Sequence, residues 1–317
     1  MKIALIVFLI IFVLFLFPGF LVGGIVYTIV LVRNKPGKWG REISEPDDEE
    51  LARMYREGEA WIKGEEAYRS EVSIVSDGFR LAGEFYDYGY DRTAIIVPGR
   101  MEALRYSYYY AIPYKGAACN FLVIDNRCHG LSEGTFNCIG YKEYRDVIAW
   151  AKFLHDEKGQ KKIFLHGICI GSSTTLFAAA SNECPDYVVG LAVDGIYDCF
   201  YSSFLRHMEE QKRPKYPFIW FVLLYIRVFS HADAVGDGPK KRILNLQKPI
   251  LMLHGREDQY SDPDKAQKLY DVCPSKHKQL VWFEKGGHSR IRINAPEQYD
   301  AAIKAFIDSV DAPAKKM

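Results

Sequence analysis

The sequence lacks the features by which several classes of protein are recognised. It has no internal repeat and no low-complexity tract, and its 41 Lys and Arg residues nearly balance its 40 Asp and Glu residues. Without a long basic run, nucleic acid is not an expected partner. Its seven cysteines are scattered without a C-x-x-C pair, so we expect neither a metal site nor a disulfide framework. The 317 residues, 49% of them hydrophobic, indicate one large folded domain.

Charge is also absent from the whole N-terminal stretch Ile3 to Val32. This stretch exceeds the roughly 20 apolar residues that span a bilayer, and membrane helices tolerate a kink at Pro18. The alternative is a cleaved signal peptide with Lys2 as its basic start, but the apolar run is too long and no convincing cleavage site follows. The pattern therefore predicts a retained single-pass anchor over residues 1–33, which makes the cell membrane a partner.

The basic residues that flank this stretch indicate its orientation. Lys2 precedes it, whereas Arg33, Lys35, Lys38 and Arg41 follow it. Positive charge concentrates on the cytoplasmic side of a membrane span. The excess after the span favours a cytoplasmic location for the rest of the chain.

Apolar runs alternate with helical patterns through the rest of the sequence. Runs such as "TAIIVPG", "KKIFLHG" and "KPILMLHG" are continuously apolar, which is typical of parallel strands covered on both faces. "EVSIVS" and "RLAGEFYDY" are joined by Asp77-Gly78, a hairpin dipeptide. We predict a linker and a helix over 34–69, the helix beginning after Ser44. An α/β domain over 70–317 follows, with a mostly parallel sheet and helices on both faces.

A long apolar segment interrupts this alternation between "LAVDG" and "KPILMLHG". Most residues from Tyr216 to Phe229 are large and uncharged, but the segment is too short to cross a membrane. We interpret it as part of a helical cap at about 197–246. The alternative is a helix simply buried in the core.

Three reactive side chains follow apolar strands directly. Cys169 lies in a G-x-C-x-G corner, Asp258 in "HGREDQYSDP" and His288 in "EKGGHS". Because the C-terminal ends of parallel strands lie at one edge of the sheet, the three side chains are expected to converge. Nucleophile, acid and histidine is also the chain order of hydrolases that carry their nucleophile on a sharp strand-to-helix turn.

With "VPGRM" and "VIDNRCHGLSEG" added to these motifs, the sequence resembles the α/β-hydrolase superfamily over nearly all of residues 70–311. Its layout is most similar to bacterial membrane-anchored members grouped with serine-aminopeptidase-like hydrolases. Two positions depart from the common pattern. Cys169 stands where most members have serine, as in the dienelactone-hydrolase-like branch with its Cys-His-Asp triad. Pro98 stands where many have the histidine of the oxyanion turn. The resemblance implies a hydrolase that needs no cofactor.

The chemistry expected of these residues is nucleophilic catalysis. Helix-end amides would favour negative charge on the Cys169 sulfur. His288 would take the thiol proton and later protonate the leaving group, while Asp258 holds the imidazole. The backbone N–H groups of Ile170 and Arg100 would form the oxyanion hole.

Less specific interpretations accompany these assignments. Cys169 is alternatively an inert thiol in a degenerate enzyme. Glu257 or Asp262 is an alternative acid to Asp258, and the Arg100 side chain is an alternative partner for a substrate carboxylate.

The sequence thus predicts an esterase or thioesterase that forms an acyl-cysteine intermediate on a small-molecule acyl substrate. Met101, Trp220 and Phe221 are the predicted substrate-binding residues, with an apolar acyl group against the cap. A peptidase acting on short peptides is the alternative within enzyme chemistry. A non-catalytic binding module that retains the pocket is the alternative from another class.

Overall fold

A twisted eight-stranded sheet organises the chain in the computed structural model, which describes residues 2–42, 46 and 48–311. The strands are β1 (Arg69–Ser76), β2 (Phe79–Tyr86), β3 (Arg92–Val97), β4 (Asn120–Ile124), β5 (Lys162–Ile168), β6 (Val188–Asp194), β7 (Ile250–Gly255) and β8 (Lys278–Phe283). Their order across the sheet is β1-β2-β4-β3-β5-β6-β7-β8. β3 to β8 pair in parallel, while β1 and β2 pair antiparallel at one edge. The predicted fold class is confirmed.

Helices connect the strands and cover both faces of the sheet. They are α1 (Lys2–Leu31), α2 (Glu49–Ile62), α3 (Ser107–Gly116), α4 (Glu143–Asp156), α5 (Ile170–Ala179), α6 (Phe200–Glu210), α7 (Phe218–Tyr225), α8 (Pro239–Arg242), α9 (Pro263–Val272), α10 (Ile291–Asn294) and α11 (Pro296–Asp311). α2, α3 and α11 contribute to the core on one face, and α4, α5 and α9 to the core on the other. This double cover explains why the central strands are apolar on both sides.

The hairpin at the edge follows from its two turn residues. Asp77 and Gly78 both have positive φ, 48° and 81°, as a two-residue turn between twisted antiparallel strands requires. A side chain at Gly78 would meet open space. Glycine is therefore favoured here by the positive φ of the backbone and not by crowding.

α1 is the one helix in the described residues that is long and apolar enough to cross a membrane. Among the helix residues whose burial the structure describes, the first buried one is Gly19. From there it packs against α7, because Gly19 leaves room for the Phe221 ring, Gly23 for the Cβ and backbone of Phe221, and Gly24 approaches Tyr225. The apolar segment predicted as a cap therefore lies against the N-terminal helix, in the insertion between β6 and β7.

The polar segment after α1 lies along the domain. The Arg33 guanidinium donates to the carbonyls of Ser132 and Gly130 at 3.1 and 2.9 Å. The Nε of Arg41 donates to the buried carboxylate of Asp125 at 2.8 Å. α2 begins at Glu49, and Ser44, after which this helix was predicted to begin, lies outside the described residues. The predicted domain boundaries stay predictions.

Candidate active site

The corner between β5 and α5 holds Cys169 in a strained conformation. Its φ is 56° and its ψ is −116°, a region that non-glycine residues rarely occupy. The two flanking glycines make the corner possible. A Cβ on Gly167 would collide with the Gly171 carbonyl, and one on Gly171 would collide with the Val97 carbonyl.

We expect Gly171→Ala to destabilise the protein by about 3 kcal/mol, because the clash is with backbone that cannot move aside. Gly116→Ala is the matched control, since an added Cβ there meets nothing within 4 Å. Its effect should stay within about 0.5 kcal/mol. Thermal unfolding of both detergent-solubilised variants measures the difference, and equal transition temperatures would contradict this description of the corner.

Asp258 and His288 form a buried hydrogen-bonded pair at the ends of β7 and β8. The Nδ1 of His288 lies 2.8 Å from Oδ2 of Asp258. The other oxygen, Oδ1, accepts from the amides of Tyr260 and Ser261 at 2.9 and 2.7 Å. The carboxylate is therefore fixed in orientation and holds the imidazole in turn. Gly195, at the end of β6, leaves the space that the ring occupies.

The pKa values of this pair show that its charged form is favoured. Burial acts to lower the pKa of His288, but the negative charges of Asp258 and Cys169 and the hydrogen bond to Asp258 raise it well above its usual value. Burial acts to raise the pKa of Asp258, but the charge and hydrogen bond of His288, together with the charge of His254 and the hydrogen bond from Ser261, lower that pKa. The second ring nitrogen, Nε2, is buried and is the atom available to the Cys169 thiol.

The alternative acids have other roles. The exposed Glu257 side chain accepts a hydrogen bond from the Gly286 amide at 3.3 Å. Asp262 caps α9 through the amide of Asp264 at 3.0 Å. Asp258 is the carboxylate that contacts the ring of His288.

The predicted oxyanion donors are the backbone groups of Ile170, next to Cys169, and of Arg100, in the turn after β3. Ile170 is the first residue of α5, where a backbone N–H has no acceptor within its own helix. Arg100 lies in the turn after β3, and its carbonyl accepts from Nε2 of His129 at 2.6 Å. His129 thus holds this turn in place.

The Arg100 side chain is bound to the protein itself. Its guanidinium donates to the Val30 carbonyl in the last turn of α1 at 3.0 Å. Burial lowers the pKa of Arg100, and the charge of Cys169 acts against this shift, so the guanidinium lies within the field of the sulfur. The sequence left open that the Arg100 side chain pairs with a substrate carboxylate. That pairing would compete with the contact to Val30.

A cavity of about 560 Å³, within the range of small-molecule sites, is lined by Arg100, whereas Cys169, Asp258 and His288 are not among its lining residues. It is lined mainly by apolar side chains from α1, the Arg100 turn, α6 and α7: Val22, Val26, Ile29, Val30, Arg100, Met101, Phe204, His207, Met208, Gln211, Arg213, Pro214 and Phe218. Met101, a predicted substrate-binding residue, is among them.

The predicted roles of Trp220 and Phe221 need correction. Trp220 is 53% exposed and stacks with Tyr201 on the outer surface. Phe221 is buried against the glycines of α1. Because successive helix residues point about 100° apart, α7 presents only Phe218 to the cavity.

The contribution of α6 to the cavity was not predicted from the sequence. Phe204 and Met208 line the cavity, and Phe200 precedes them at the same four-residue spacing, which was a readable signal of one apolar helix face. His207 stacks on Tyr260, which in turn contacts His288 edge-on. Burial and then the charges of Arg100 and His288 lower the pKa of His207 to about 3, so this lining residue is neutral. Over the described ranges 2–42, 46 and 48–311, no three His, Cys, Asp or Glu side chains group as a metal site requires.

Comparisons with known families agree with this fold. A family model described as "alpha/beta hydrolase fold" matches residues 95–225, and one described as "Serine aminopeptidase, S33" matches residues 226–292. The sheet order, the corner at Cys169 and these matches show that the chain has the α/β-hydrolase fold.

Individual relatives are distant. The Bacillus subtilis protein YqkD is 23% identical over 61% of this chain and 63% of its own length. A Saccharomyces cerevisiae protein named as an uncharacterized membrane protein is 23% identical over 56% of this chain and 57% of its own. The chain thus spans less than two thirds of these curated relatives. The structure of the Pyrococcus furiosus esterase Pf2001 superposes with a TM-score of 0.66 at 22% identity, covering 78% of this chain and 93% of that one. This last likeness is one of fold.

Proposed function

We propose that this protein is a membrane-anchored hydrolase that cleaves carboxylic esters or thioesters through an acyl-cysteine intermediate. One observation carries the proposal: Cys169 lies at a strained corner beside His288, whose other nitrogen is bound to Asp258 at 2.8 Å. A degenerate site would have no need to keep both the strain and the oriented histidine.

Acylation would begin when Nε2 of His288 takes the proton of the Cys169 thiol. The sulfur then attacks the substrate carbonyl carbon, and the carbonyl oxygen becomes negatively charged. The amides of Ile170 and Arg100 are the donors for that oxygen. His288 returns its proton to the departing alkoxide or thiolate, the bond to the leaving group breaks, and the acyl group remains on sulfur.

Deacylation would use the same groups with water as the nucleophile. His288 takes a proton from water, the hydroxyl attacks the acyl carbon, and the bond to sulfur breaks. The carboxylic acid leaves, and the Cys169 sulfur regains its proton from His288. Asp258 stays ionised throughout and holds the ring in place.

Two features support ester or thioester chemistry on a small-molecule acyl substrate. An alkoxide or thiolate leaves more readily than an amine, so ester cleavage demands less of His288 as an acid than amide cleavage does. The cavity that Arg100 lines is mostly apolar, as an acyl chain requires. α1 is the element that would hold the enzyme at the membrane, and the basic residues after it favour the cytoplasmic side.

A substrate panel on the full-length chain in detergent tests the proposal. We expect p-nitrophenyl esters and acyl thioesters to be hydrolysed, and aminoacyl p-nitroanilides to be cleaved far more slowly or not at all. Cleavage of the anilides alone would favour a peptidase. Binding without turnover of any of these compounds would favour a non-catalytic module.

A further inference from the structure

The N-terminal helix does more than precede the domain, because it forms one side of the cavity. Val22, Val26, Ile29 and Val30 line it from α1. The opposite wall comes from α6 and α7, with Phe204, Met208 and Phe218. A chain truncated before the domain would have a groove open on one side.

α1 is attached to the domain at both ends of this wall. Near Gly19 and Gly23 it is packed on Phe221. Near its C-terminal end, the hydroxyls of Tyr27 and Ser230 are hydrogen-bonded at 3.0 Å, and the Val30 carbonyl accepts from Arg100. Arg100 also supplies a proposed oxyanion donor, so the wall and the catalytic turn share a residue.

The length of the free part of α1 sets the depth at which this wall lies. Gly19 is the first buried residue of α1 among those whose burial the structure describes, and the helix from Lys2 to Pro18 before it is about 25 Å long at about 1.5 Å per residue. A hydrocarbon core of about 30 Å is longer than that, so a spanning α1 must be immersed to about Val22. Any tilt of the helix immerses still more of it. Val22 is the first α1 residue in the cavity wall.

The surface around the cavity is apolar, as immersion to that depth requires. Leu21, Ile25 and Ile29 of α1 are 55%, 50% and 63% exposed, and Trp220 and Leu224 of α7 are 53% and 42% exposed. Apolar groups in such number are costly to leave in water and cost nothing in hydrocarbon. Helix packing between α1 and α7 through small residues is also the kind that holds inside a bilayer.

From these observations we propose that α1 is a wall of the acyl-binding cavity and that the acyl chain enters it sideways from the bilayer. The preferred substrate is then a long-chain acyl ester dissolved in the same membrane as the enzyme. This inference rests on the proposed hydrolase function and adds the route and the physical state of the substrate. The acyl chain passes from hydrocarbon into an apolar cavity without crossing water.

The experiment uses the full-length protein in phosphatidylcholine vesicles with the hexadecanoyl ester of 4-methylumbelliferone as probe. The ester is placed either in the enzyme's own vesicles or in separate protein-free vesicles at the same total concentration. We expect hydrolysis to be at least about tenfold faster when enzyme and ester share a membrane, because an apolar chain of this length leaves a bilayer slowly. Equal rates in the two arrangements would overturn bilayer entry.

Variants of the wall test its role. Val26→Trp fills the cavity from α1, and Met208→Trp fills it from α6 should the first fail to fold. Each should reduce hydrolysis of the hexadecanoyl ester at least about tenfold more than hydrolysis of the water-soluble acetyl ester. Ile25→Trp is the matched control, since this neighbour on α1 is exposed and lies outside the cavity lining. An equal reduction for both esters, or an equal effect of Ile25→Trp, would contradict the proposed wall.

Hydrolysis of the acetyl ester distinguishes failure of bilayer entry from failure of the proposed hydrolase function. If the wild-type protein cleaves it but shows no preference for the shared membrane, the inference fails while the proposed function stands. If the protein cleaves neither ester, the proposed function fails and the inference fails with it.

Discussion

Cys169→Ala is expected to lower kcat/KM for esters by about 10³-fold or more, because it removes the atom that receives the acyl group. Cys169→Ser should retain part of the activity, since His288 and the oxyanion donors remain in place. Its hydroxyl is the weaker nucleophile at neutral pH. Initial rates with a short p-nitrophenyl ester measure both effects.

Cys184→Ala is the matched control for this experiment. Cys184 is another partly exposed free thiol, and its sulfur contacts the Pro185 carbonyl. We expect the wild-type rate in this variant and complete inactivation of it by iodoacetamide. Full esterase activity in Cys169→Ala would show that the nucleophile is another group.

Asp258→Asn and His288→Ala should each lower kcat by on the order of 10³-fold with little change in folding. Both residues act on the same proton transfer, so the double variant should be little worse than either single one. Glu257→Gln and Asp262→Asn are the controls, because these carboxylates bind backbone amides and not the histidine. If one of the controls loses as much activity as Asp258→Asn, the acid has been assigned to the wrong residue.

The pH dependence of the Asp258→Asn variant tests the contact between Asp258 and His288 in a second way. Burial lowers the pKa of His288, and the Asp258 charge is the largest of the effects that raise it. Without that charge the ring loses its proton at a lower pH, and a neutral ring has no proton to give to the leaving group. The alkaline limit of the residual kcat/KM should therefore move to lower pH than in the wild type. If the alkaline limit of kcat/KM stays at the wild-type pH, a group other than His288 sets that limit.

The fold, and the edge of the sheet at which the candidate site residues lie, were predictable because both depend on local pattern. Strands such as Lys162–Ile168 and Ile250–Gly255 are short, apolar and followed by glycine, which defines a buried parallel sheet. In such a sheet, residues just after the strands must meet at one edge, which brought Cys169, Asp258 and His288 into proximity.

The walls of the cavity depend on how distant elements are placed, and sequence pattern does not fix that placement. The aromatic segment suggested Trp220 and Phe221 as lining residues, but the direction of α7 was unknown. Its packing on α1 turned Phe221 towards the glycines and Trp220 to the outside. The share of α1 in the cavity was also hidden, because an apolar stretch that can span a membrane gives no sign that its last turns pack on a domain.

The proposed acyl-cysteine intermediate can be tested directly by its mass. The full-length protein is mixed with an ester for a fraction of a turnover, quenched in acid, digested and examined by mass spectrometry. The account predicts the mass of the acyl group on the peptide that contains Cys169, and no acylated peptide in Cys169→Ala. Finding the acyl group on another residue would contradict the acyl-cysteine intermediate. So would the absence of any acylated peptide under conditions in which deacylation limits the rate.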